Sequence, residues 1–246
     1  MIMVLASIIA VCGAIPVLAD ISYTKEIGRY LLPSVSGQDF IRVTGLTPSQ
    51  RVGKTIKSSN ESVAYAFLNG GYGHSGENGK YEYFSNKAPQ NMFSRTATIV
   101  VFYKKPGTAT VSFKINGKTY KIKVKGYKYV NPLKSLTITG YNNGKTLHKK
   151  FNNDYKVYEK LKNSLKNAKI TIKPKSGWKI ASVDVHDDKG SLWIAPIKDE
   201  DAKKYSKLYS SLSVNGINSK NYFWLRINLV NKNGGQVEVE YNLSKY

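Results

Sequence analysis

Residues 108–125, TATVSFKINGKTYKIKVK, decide the fold of this chain. Asn116-Gly117 is the strongest two-residue hairpin signal, because both central positions of a type I′ turn need a positive φ. Folding the chain at this turn brings apolar residues opposite one another. The expected pairs are Phe113 with Tyr120, Val111 with Ile122 and Ala109 with Val124. A shift of one residue would turn this apolar set to water, so turn and pattern predict one register with a lysine-rich outer face.

Further strand patterns surround the hairpin and are separated by turns rich in Gly, Pro, Asn and Ser. Residues 97–103, ATIVVFY, are typical of a fully apolar buried strand. Residues 39–44 and 62–68 alternate, and the second stretch carries Tyr65 and Phe67 on one face. Five or more short strands of this kind predict a β-sandwich.

A second strand-rich block follows Asn131-Pro132, which breaks regular structure and predicts a domain boundary. Its last strands form a hairpin around residues 231–235, and a change of parity near Ala181-Ser182 predicts a β-bulge. Residues 154–168 and 199–212 instead place apolar residues at helical spacing and predict short helices. We therefore expect an all-β protein whose second domain contains one or two short helices.

The first 19 residues, MIMVLASIIAVCGAIPVLA, are predicted to be a signal peptide. They carry no charge, are too short to favour a spanning helix, and end in small residues suited to cleavage before Asp20. The protein is then secreted or held at the cell surface, with membrane contact only before cleavage. Cys12 is the only cysteine, so the mature chain would have no disulfide. The expected units are 1–19 signal peptide, 20–130 first β-sandwich and 131–246 second β-sandwich-like domain.

The formal net charge of +22 has two interpretations. Lysines that alternate with apolar residues on strands form solvated faces, which accounts for much of the charge. Alternatively, the charge attracts a polyanion, and for an exported bacterial protein we expect an anionic cell-wall polymer or an extracellular polysaccharide. A specific nucleic-acid partner is not expected, because no basic helix is evident and arginines are few beside the lysines.

No pattern in the chain predicts catalysis, so we expect no catalytic residues and no enzyme. Residues 73–76, GHSG, lack the second glycine of a nucleophile elbow, since Glu77 follows the loop serine. Carboxylates are sparse, whereas glycoside hydrolysis needs two of them facing across a cleft. Cysteine catalysis is excluded once the signal peptide is removed.

Ligand binding through aromatic side chains is a better-supported hypothesis. The glycine-rich stretch 69–83 carries Tyr72, His74, Tyr81 and Tyr83, which we assign as tentative ligand-binding residues. Long loops on rigid sandwiches often bind ligands, and sugars stack on flat tyrosine faces. The alternative is that this part of the chain enters a strand and packs inside. The tryptophans, expected in the core because each lies within a strand pattern, are Trp178, Trp193 and Trp224.

One weak metal-site candidate lies at a strand–turn junction before Gly190. Asp184, Asp187 and Asp188 supply oxygen ligands of the kind that Ca²⁺ prefers, although their spacing is not that of an EF-hand. Asp and Gly are also ordinary turn residues. Apart from this Ca²⁺ candidate, no cofactor is expected.

Four short motifs of the first block occur in order: SSNESVA at 58–64, PGTATV at 106–111, NGKTY at 116–120 and KIKVKGYKY at 121–129. Together they resemble a bacterial Ig-like domain of the group 2 type, found in secreted and surface proteins of Gram-positive anaerobes. The resemblance spans about residues 35–130. It implies a non-catalytic surface module, adhesive or spacer-like, with no catalytic residues to transfer.

The remaining chain resembles companion domains of such proteins, through NPLKSLTITG at 131–140 and KPKSGWKI at 173–180. Two tandem Ig-like β-sandwich domains are therefore implied. The stretch 69–83 departs from the family, which usually has a tight turn there. The expected function is a cell-surface or secreted adhesion module that binds an extracellular glycan or anionic wall polymer. The alternatives are a purely structural Ig-like spacer and an accessory domain of a carbohydrate-active enzyme or peptidase.

Overall fold

The computed structural model describes residues 21–32, 37–47, 50–69, 73–75, 81–83, 96–194, 197–199, 204–205 and 207–245. Over these ranges the chain is almost entirely β-structure, with two 3₁₀ helices, Asn142–Gly144 and His148–Phe151. No helix within them is long and apolar enough to span a membrane. The strands are β1 (Glu26–Leu31), β2 (Gly37–Val43), β3 (Lys57–Ser58), β4 (Ala64–Asn69), β5 (Gly73–Ser75), β6 (Tyr81–Tyr83), β7 (Ala97–Tyr103), β8 (Gly107–Ile115), β9 (Lys118–Lys128), β10 (Leu133–Ile138), β11 (Lys156–Lys160), β12 (Leu165–Pro174), β13 (Trp178–Asp187), β14 (Gly190–Ile194), β15 (Ile197–Asp199), β16 (Lys204–Tyr205), β17 (Leu212–Ser219), β18 (Tyr222–Asn231) and β19 (Gln236–Ser244).

One long sheet runs through the molecule in the order β14-β13-β18-β19-β1-β9-β8-β3, with β11 also paired to β19. Two three-stranded sheets, β2-β7-β4 and β10-β12-β17, supply the opposing layers. The first core contains buried residues such as Ile41, Val101 and Phe113. The second contains residues such as Ile170 and Phe223. Two hydrophobic cores, each between two sheets, thus account for the sandwich architecture.

The hairpin predicted from residues 108–125 is confirmed. Asn116 and Gly117 have φ values of 46° and 83°, as a type I′ turn requires. Phe113 and Ile122 are buried, whereas lysines such as Lys121 point outward and are exposed. The observed pairs of β8 and β9 include Phe113 with Tyr120, Val111 with Ile122 and Ala109 with Val124.

The second predicted hairpin and the predicted bulge are also confirmed. Strands β18 and β19 are antiparallel and place Phe223 opposite Leu243 and Ile227 opposite Val239. The register of β13 against β18 shifts between Ile180 and Ser182, where the parity of the sequence changes.

Strand β7 has the bounds predicted for the apolar strand at residues 97–103. The strand predicted over residues 62–68 is confirmed in part, as β4. Tyr65 and Phe67 share one face of β4, but this face of the small sheet points away from the first core. There they stack on Phe102, with ring centroids 5.2 and 5.5 Å apart. Ala64 and Leu68 occupy the buried face instead, because a sandwich strand needs only one apolar face against the core.

The helix predicted over residues 154–168 is wrong. Lys156–Lys160 form β11, which pairs in parallel with Glu240–Ser244 of β19. Tyr158, expected on the buried side of a helix, is 70% exposed. A positive φ of 46° at Asn167 interrupts the alternation of β12. This irregularity lets Leu165 and Ala168 both enter the core at a spacing that mimics a helix.

The helix predicted over residues 199–212 is also wrong where the chain is described. β15 ends at Asp199, Lys204–Tyr205 form β16, and Tyr209 forms a bridge with Ile180 of β13. Leu208 is exposed, which the helical pattern did not predict. Residues 200–203 and 206 lie outside the described ranges. Pairing with neighbouring strands, which lies outside any local window, overrides the local spacing.

The N-terminal strand β1 belongs to both cores, because alternate residues of a strand point to opposite faces of a sheet. Ile27 and Leu31 lie in the first core. Tyr30 packs against the second core, to which Leu32 also belongs. On one side β1 pairs in parallel with β9, and on the other it pairs in parallel with β19 at Arg29 and Gln236. The long sheet is therefore continuous past both cores.

Two glycines allow the close approach of β1, β9 and the β18–β19 turn. A Cβ at Gly235 would lie 2.6 Å from Cε2 of Tyr30 and 2.9 Å from the Tyr127 ring. A Cβ at Gly28 would lie 2.8 Å from Cε2 of Tyr127. The two rings stack with centroids 4.9 Å apart, and Trp178 lies 4.8 Å from Tyr30. The space for a side chain at Gly235 is therefore filled by packed aromatic rings.

The predicted domain boundary at Asn131-Pro132 stays a prediction, but this stretch is packed. Asn131 is buried, and its Nδ2 donates to the carbonyl of His148 at 2.8 Å and to Oδ1 of Asn152 at 2.9 Å. Tyr129 lies in the second core although it precedes the boundary. The predicted signal peptide, residues 1–19, lies outside the described residues.

Replacing Gly235 by Ala should lower the free energy of unfolding by about 1–3 kcal/mol, because the added methyl overpacks the stacked rings. Gly53→Ala is the matched control: its Cβ would lie 3.5 Å from the nearest atom, an ordinary contact. Urea denaturation of the two variants measures the difference. Equal stability of Gly235→Ala and the unmodified protein would contradict this account of the junction.

Candidate functional site

Five neighbouring strands, β14-β13-β18-β19-β11, turn one face to the second core and the other away from it. We call the surface that points away the outer face. Its residues lie in two rows across the strands, because directly paired residues point to the same side. The first row is Asp184, Arg226, Glu240 and Lys156, and the second is Ser191, His186, Trp224, Asn242 and Tyr158.

The first row alternates in charge across four strands. Arg226 lies between Asp184 and Glu240 in the register, and its Nε is 3.7 Å from Oε1 of Glu240. On the far side, Nζ of Lys156 is 3.2 Å from Oε2 of Glu240. Asp184 and Glu240 are only 7% and 5% exposed. Opposite charges on adjacent strands stabilise these buried carboxylates, and the row as a whole is close to neutral.

The second row presents aromatic and hydrogen-bonding side chains. The Arg226 guanidinium lies 4.4 Å from the centroid of the Trp224 ring, a cation–π contact. His186 packs on the same ring at 4.6 Å, and its Nε2 is 3.3 Å from Oδ1 of Asp184. Ser191 Oγ is 2.6 Å from Nδ1 of His186. Trp224, His186 and Arg226 are therefore held in one arrangement.

Two tyrosines on the outer face are well exposed. Tyr158 is 70% exposed and Tyr222 is 47% exposed, and they lie on either side of Asn242. Because β19 separates β11 from β18, and Tyr222 lies two residues before Trp224, the residue opposite Asn242, the backbone positions of the two tyrosines are about 12 Å apart. Tyrosine rings on a rigid sheet offer flat contact area at low conformational cost.

Two buried polar atoms on this face lack a hydrogen-bond partner. Among the described residues, four buried side-chain atoms lack a partner, and Arg226 Nε and Asn242 Nδ2 are two of them. Each such atom costs about 1–3 kcal/mol of stability. Arg226 Nε still faces carboxylate oxygens of Glu238 and Glu240 at 3.7 Å, so Asn242 Nδ2 is the atom on this face whose missing partner calls for a functional reason.

Glu238, next to the first row on β19, has a raised pKa. Burial disfavours its charge, the attraction of Arg226 opposes that effect, and contact with Glu240 raises the pKa further. Nε of Arg226 is 3.7 Å from Oε2 of Glu238. The protein therefore retains an ionisable group where its charged form is unfavourable, a common property of binding sites.

The first sandwich borders the outer face at its Glu238 end. Arg29, paired with Gln236 of β19, points to the same side of the long sheet. Its Nη2 donates to Oδ1 of Asp39 on β2 at 2.9 Å, and the Tyr103 hydroxyl donates to Oδ2 of Asp39 at 2.8 Å. The outer face therefore ends beside the edge strand β2.

The ligand-binding residues predicted from the insertion 69–83 are described only in part. Tyr72 lies outside the described residues. For the other three the structure gives strand pairing: His74 lies on β5, opposite Glu82, while Tyr81 and Tyr83 lie on β6. Asn69 of β4 pairs directly with Thr98 of β7, and between these two positions the structure describes only β5, β6 and residues 96–97.

The predicted calcium ligands are not brought together. Asp184 belongs to the outer face, whereas Asp187 accepts from the backbone N–H groups of Lys189 and Asn218 at 2.8 and 2.9 Å. Asp188 accepts from the backbone N–H of Lys220 at 2.5 Å. Within the described ranges, no three His, Cys, Asp or Glu side chains are grouped to hold a metal ion. Asp187 and Asp188 instead hold the β13–β14 turn against the end of β17.

Sequence reasoning missed the outer face. Trp178 lies in the second core as expected, but Trp224 is half-buried on the outer face. The signal was present, because Phe223 and Leu225 alternate inward and leave Trp224 on the opposite side. The side chain of Trp193 lies outside the described part of the chain.

No model of a known protein family matches the chain, and no curated protein matches it. The chain is weakly similar to the S-layer protein SbsC, domains 5–6, at 14% identity, covering 92% of this chain and 97% of that chain with a TM-score of 0.33. It is also weakly similar to the Yersinia pseudotuberculosis adhesin InvE, at 12% identity, covering 91% of this chain and 58% of that chain with a TM-score of 0.24. The similarity to the titin Ig tandem domains A164-A165 is at 12% identity, covering 92% of this chain and 95% of that chain with a TM-score of 0.22. Similarity at these TM-scores carries no argument about function.

Glu238→Gln and Glu159→Gln should change the free energy of unfolding at pH 7 in opposite directions. The folded-state pKa of Glu238 is raised, so its ionised form costs stability at neutral pH, and Glu238→Gln should stabilise the protein at pH 7. For Glu159, burial raises the pKa, but hydrogen bonds from Lys150 and Tyr241 lower it below the ordinary 4.5. Glu159→Gln should therefore destabilise the protein at pH 7 by about 1 kcal/mol.

The Glu238→Gln difference should disappear as the pH falls below the ordinary glutamate pKa of 4.5, whereas the Glu159→Gln difference should shrink below that value and be lost only as the pH falls through the lowered folded-state pKa of Glu159. Denaturation midpoints measured from pH 3 to pH 7 test this. Stability changes of the same sign for both variants at pH 7 would contradict the opposite pKa shifts of Glu238 and Glu159.

Proposed function

We propose that this chain is an exported, non-catalytic cell-surface module that binds an extracellular glycan on its outer face. The observation that carries the proposal is the pair of exposed tyrosines, Tyr158 and Tyr222, on either side of Asn242. Hydrogen-bonding groups lie beside ring faces there, which is the combination a sugar requires: hydroxyl groups to pair and a flat C–H face to stack.

The charge of the outer face supports a sugar ligand over a pure polyanion. Negative Asp184 and Glu240 alternate with positive Arg226 and Lys156, so this surface lacks the excess of lysine found elsewhere. The outer side of β9, with Lys121 among its exposed lysines, is the contrasting case of a solvated cationic strand. Alternating donors and acceptors favour hydroxyl-rich ligands, which use both.

A pure spacer would not need this surface. An exposed sheet face is most simply stabilised by alternating lysines and threonines, as on β8 and β9. Buried carboxylates and unpaired polar atoms lower stability, and binding is the usual reason for keeping them. The spacer and the accessory domain of an enzyme remain the alternatives that binding measurements separate from this proposal.

Binding should be screened on an array of neutral and acidic oligosaccharides, and the oligosaccharide with the strongest signal then titrated by calorimetry. Tyr158→Ala and Tyr222→Ala should each weaken its affinity about tenfold, the effect of losing one stacked ring. Phe40→Ala is the matched control, because Phe40 is also an exposed aromatic residue, on the small sheet of the first sandwich. It should leave the affinity unchanged.

Tyr81→Ala and Tyr83→Ala test the site predicted in the insertion 69–83. Loss of binding in these two variants, with the outer-face variants unaffected, would move the site to the insertion. The absence of any array signal from the folded protein would overturn glycan binding and favour the spacer.

A further inference from the structure

A concave surface begins where the outer face ends, at the edge of β11. It is a pocket of about 560 Å³ between β11, the turn at residues 140–144 and the residues that follow β11. The lining residues are Gly140, Tyr141, Asn142, Asn143, Gly144, Lys150, Glu159, Lys160, Lys162 and Asn163. This volume lies within the range of small-molecule binding pockets.

An unusual backbone turn forms one wall of the pocket. Asn142, Asn143 and Gly144 all have positive φ, at 50°, 51° and 69°. Hydrogen bonds from the backbone N–H of Gly144 to Tyr141 O and from that of Lys145 to Asn142 O, both 3.0 Å, hold the turn. Asparagine tolerates this conformation better than other side chains, and its amide donates hydrogen bonds. The wall is therefore polar and held in place.

The acidic residue in the pocket is already satisfied. Glu159 Oε1 is 2.5 Å from Nζ of Lys150, and Oε2 accepts hydrogen bonds from the hydroxyls of Tyr141 and Tyr241. Three donors on one carboxylate leave little capacity for another cation. Among the residues that the structure describes, Lys160 and Lys162 have no ion-pair partner and are exposed. The pocket thus carries a net positive charge that no side chain neutralises.

The pocket and the outer face share strand β11. Lys160 lines the pocket and lies two residues after Tyr158, so both side chains leave the strand on the same side. Residues two apart on a strand are separated by about 7 Å. One sugar unit stacked on Tyr158 would therefore place a substituent within reach of the Lys160 ammonium.

We infer that this pocket binds the anionic group of a glycan, a carboxylate or a phosphate ester, through Lys160 and Lys162. The inference rests on the proposed function of the outer face and adds the class of sugar it takes. Asparagine amides from the turn and Asn163 complete a polar lining suited to the oxygens of either group. Ammonium groups bind both anions as point charges.

The test compares oligogalacturonate with the same oligomer fully methyl-esterified, which keeps the sugar rings and removes the charge. Poly(glycerol phosphate) serves as the phosphate probe. The unmodified protein should bind at least one anionic probe more tightly than the ester. The double variant Lys160→Ala, Lys162→Ala should weaken that binding about tenfold, as expected for two exposed charge contacts, and leave binding of the ester unchanged.

The matched control is Lys166→Ala, Lys169→Ala, which removes two exposed lysines on β12, away from the pocket. It changes the net charge equally, so a comparable loss in this control would overturn the pocket and assign binding to overall charge. Failure of both anionic probes to bind, or equal affinity of the pocket variant and the unmodified protein, would also overturn it. Which anionic probe responds tells carboxylate from phosphate.

The outcome for the pocket is separable from that for the outer face. If Tyr158→Ala weakens glycan binding while the lysine variants have no effect, glycan binding stands and the pocket assignment is wrong. If the lysine variants lower binding of the anionic probes while Tyr158→Ala and Tyr222→Ala do not, the pocket stands and the outer face is not the platform.

Discussion

The arrangement of the whole molecule depends on β1 packing against two cores at once. A strand can do this only if both of its faces are covered, and here Ile27 faces one core while Tyr30 faces the other. The close approach is sterically possible because Gly28 and Gly235 leave room for the stacked rings of Tyr30 and Tyr127. Since β1 pairs with both β9 and β19, it makes one continuous sheet out of two halves.

That sheet positions the outer face. On one edge β19 pairs with β18 along its length, and the other edge is divided between β1 and β11. Glu240 is consequently flanked by Arg226 on one side and Lys156 on the other, which stabilises a nearly buried carboxylate. Without β11, the edge of β19 would be open and Tyr158 would have no place beside Asn242.

The positive charge of the chain is unevenly distributed over its surface. Much of the +22 lies on solvated strands such as β9, where lysines alternate with core residues. The outer face is nearly neutral because acids and bases alternate across it, and the pocket beside it is positive because Glu159 is already paired. A neutral stacking surface next to a cationic pocket suits a sugar polymer that carries occasional anionic groups.

Local sequence was sufficient wherever neighbours in the chain also pair in space. Asn116-Gly117 and the alternation around it determined the β8–β9 hairpin and its register, and the same holds for β18 and β19. The prediction that Trp224 lies in the core is wrong, although the parity of β18 already indicated the opposite face. Only the tertiary structure decided that residues 156–160 form a strand, because its partner β19 lies about 80 residues away in the chain. The same reason applies to the outer face and to the pocket: their residues come from distant strands, and a local pattern does not show which strands pair.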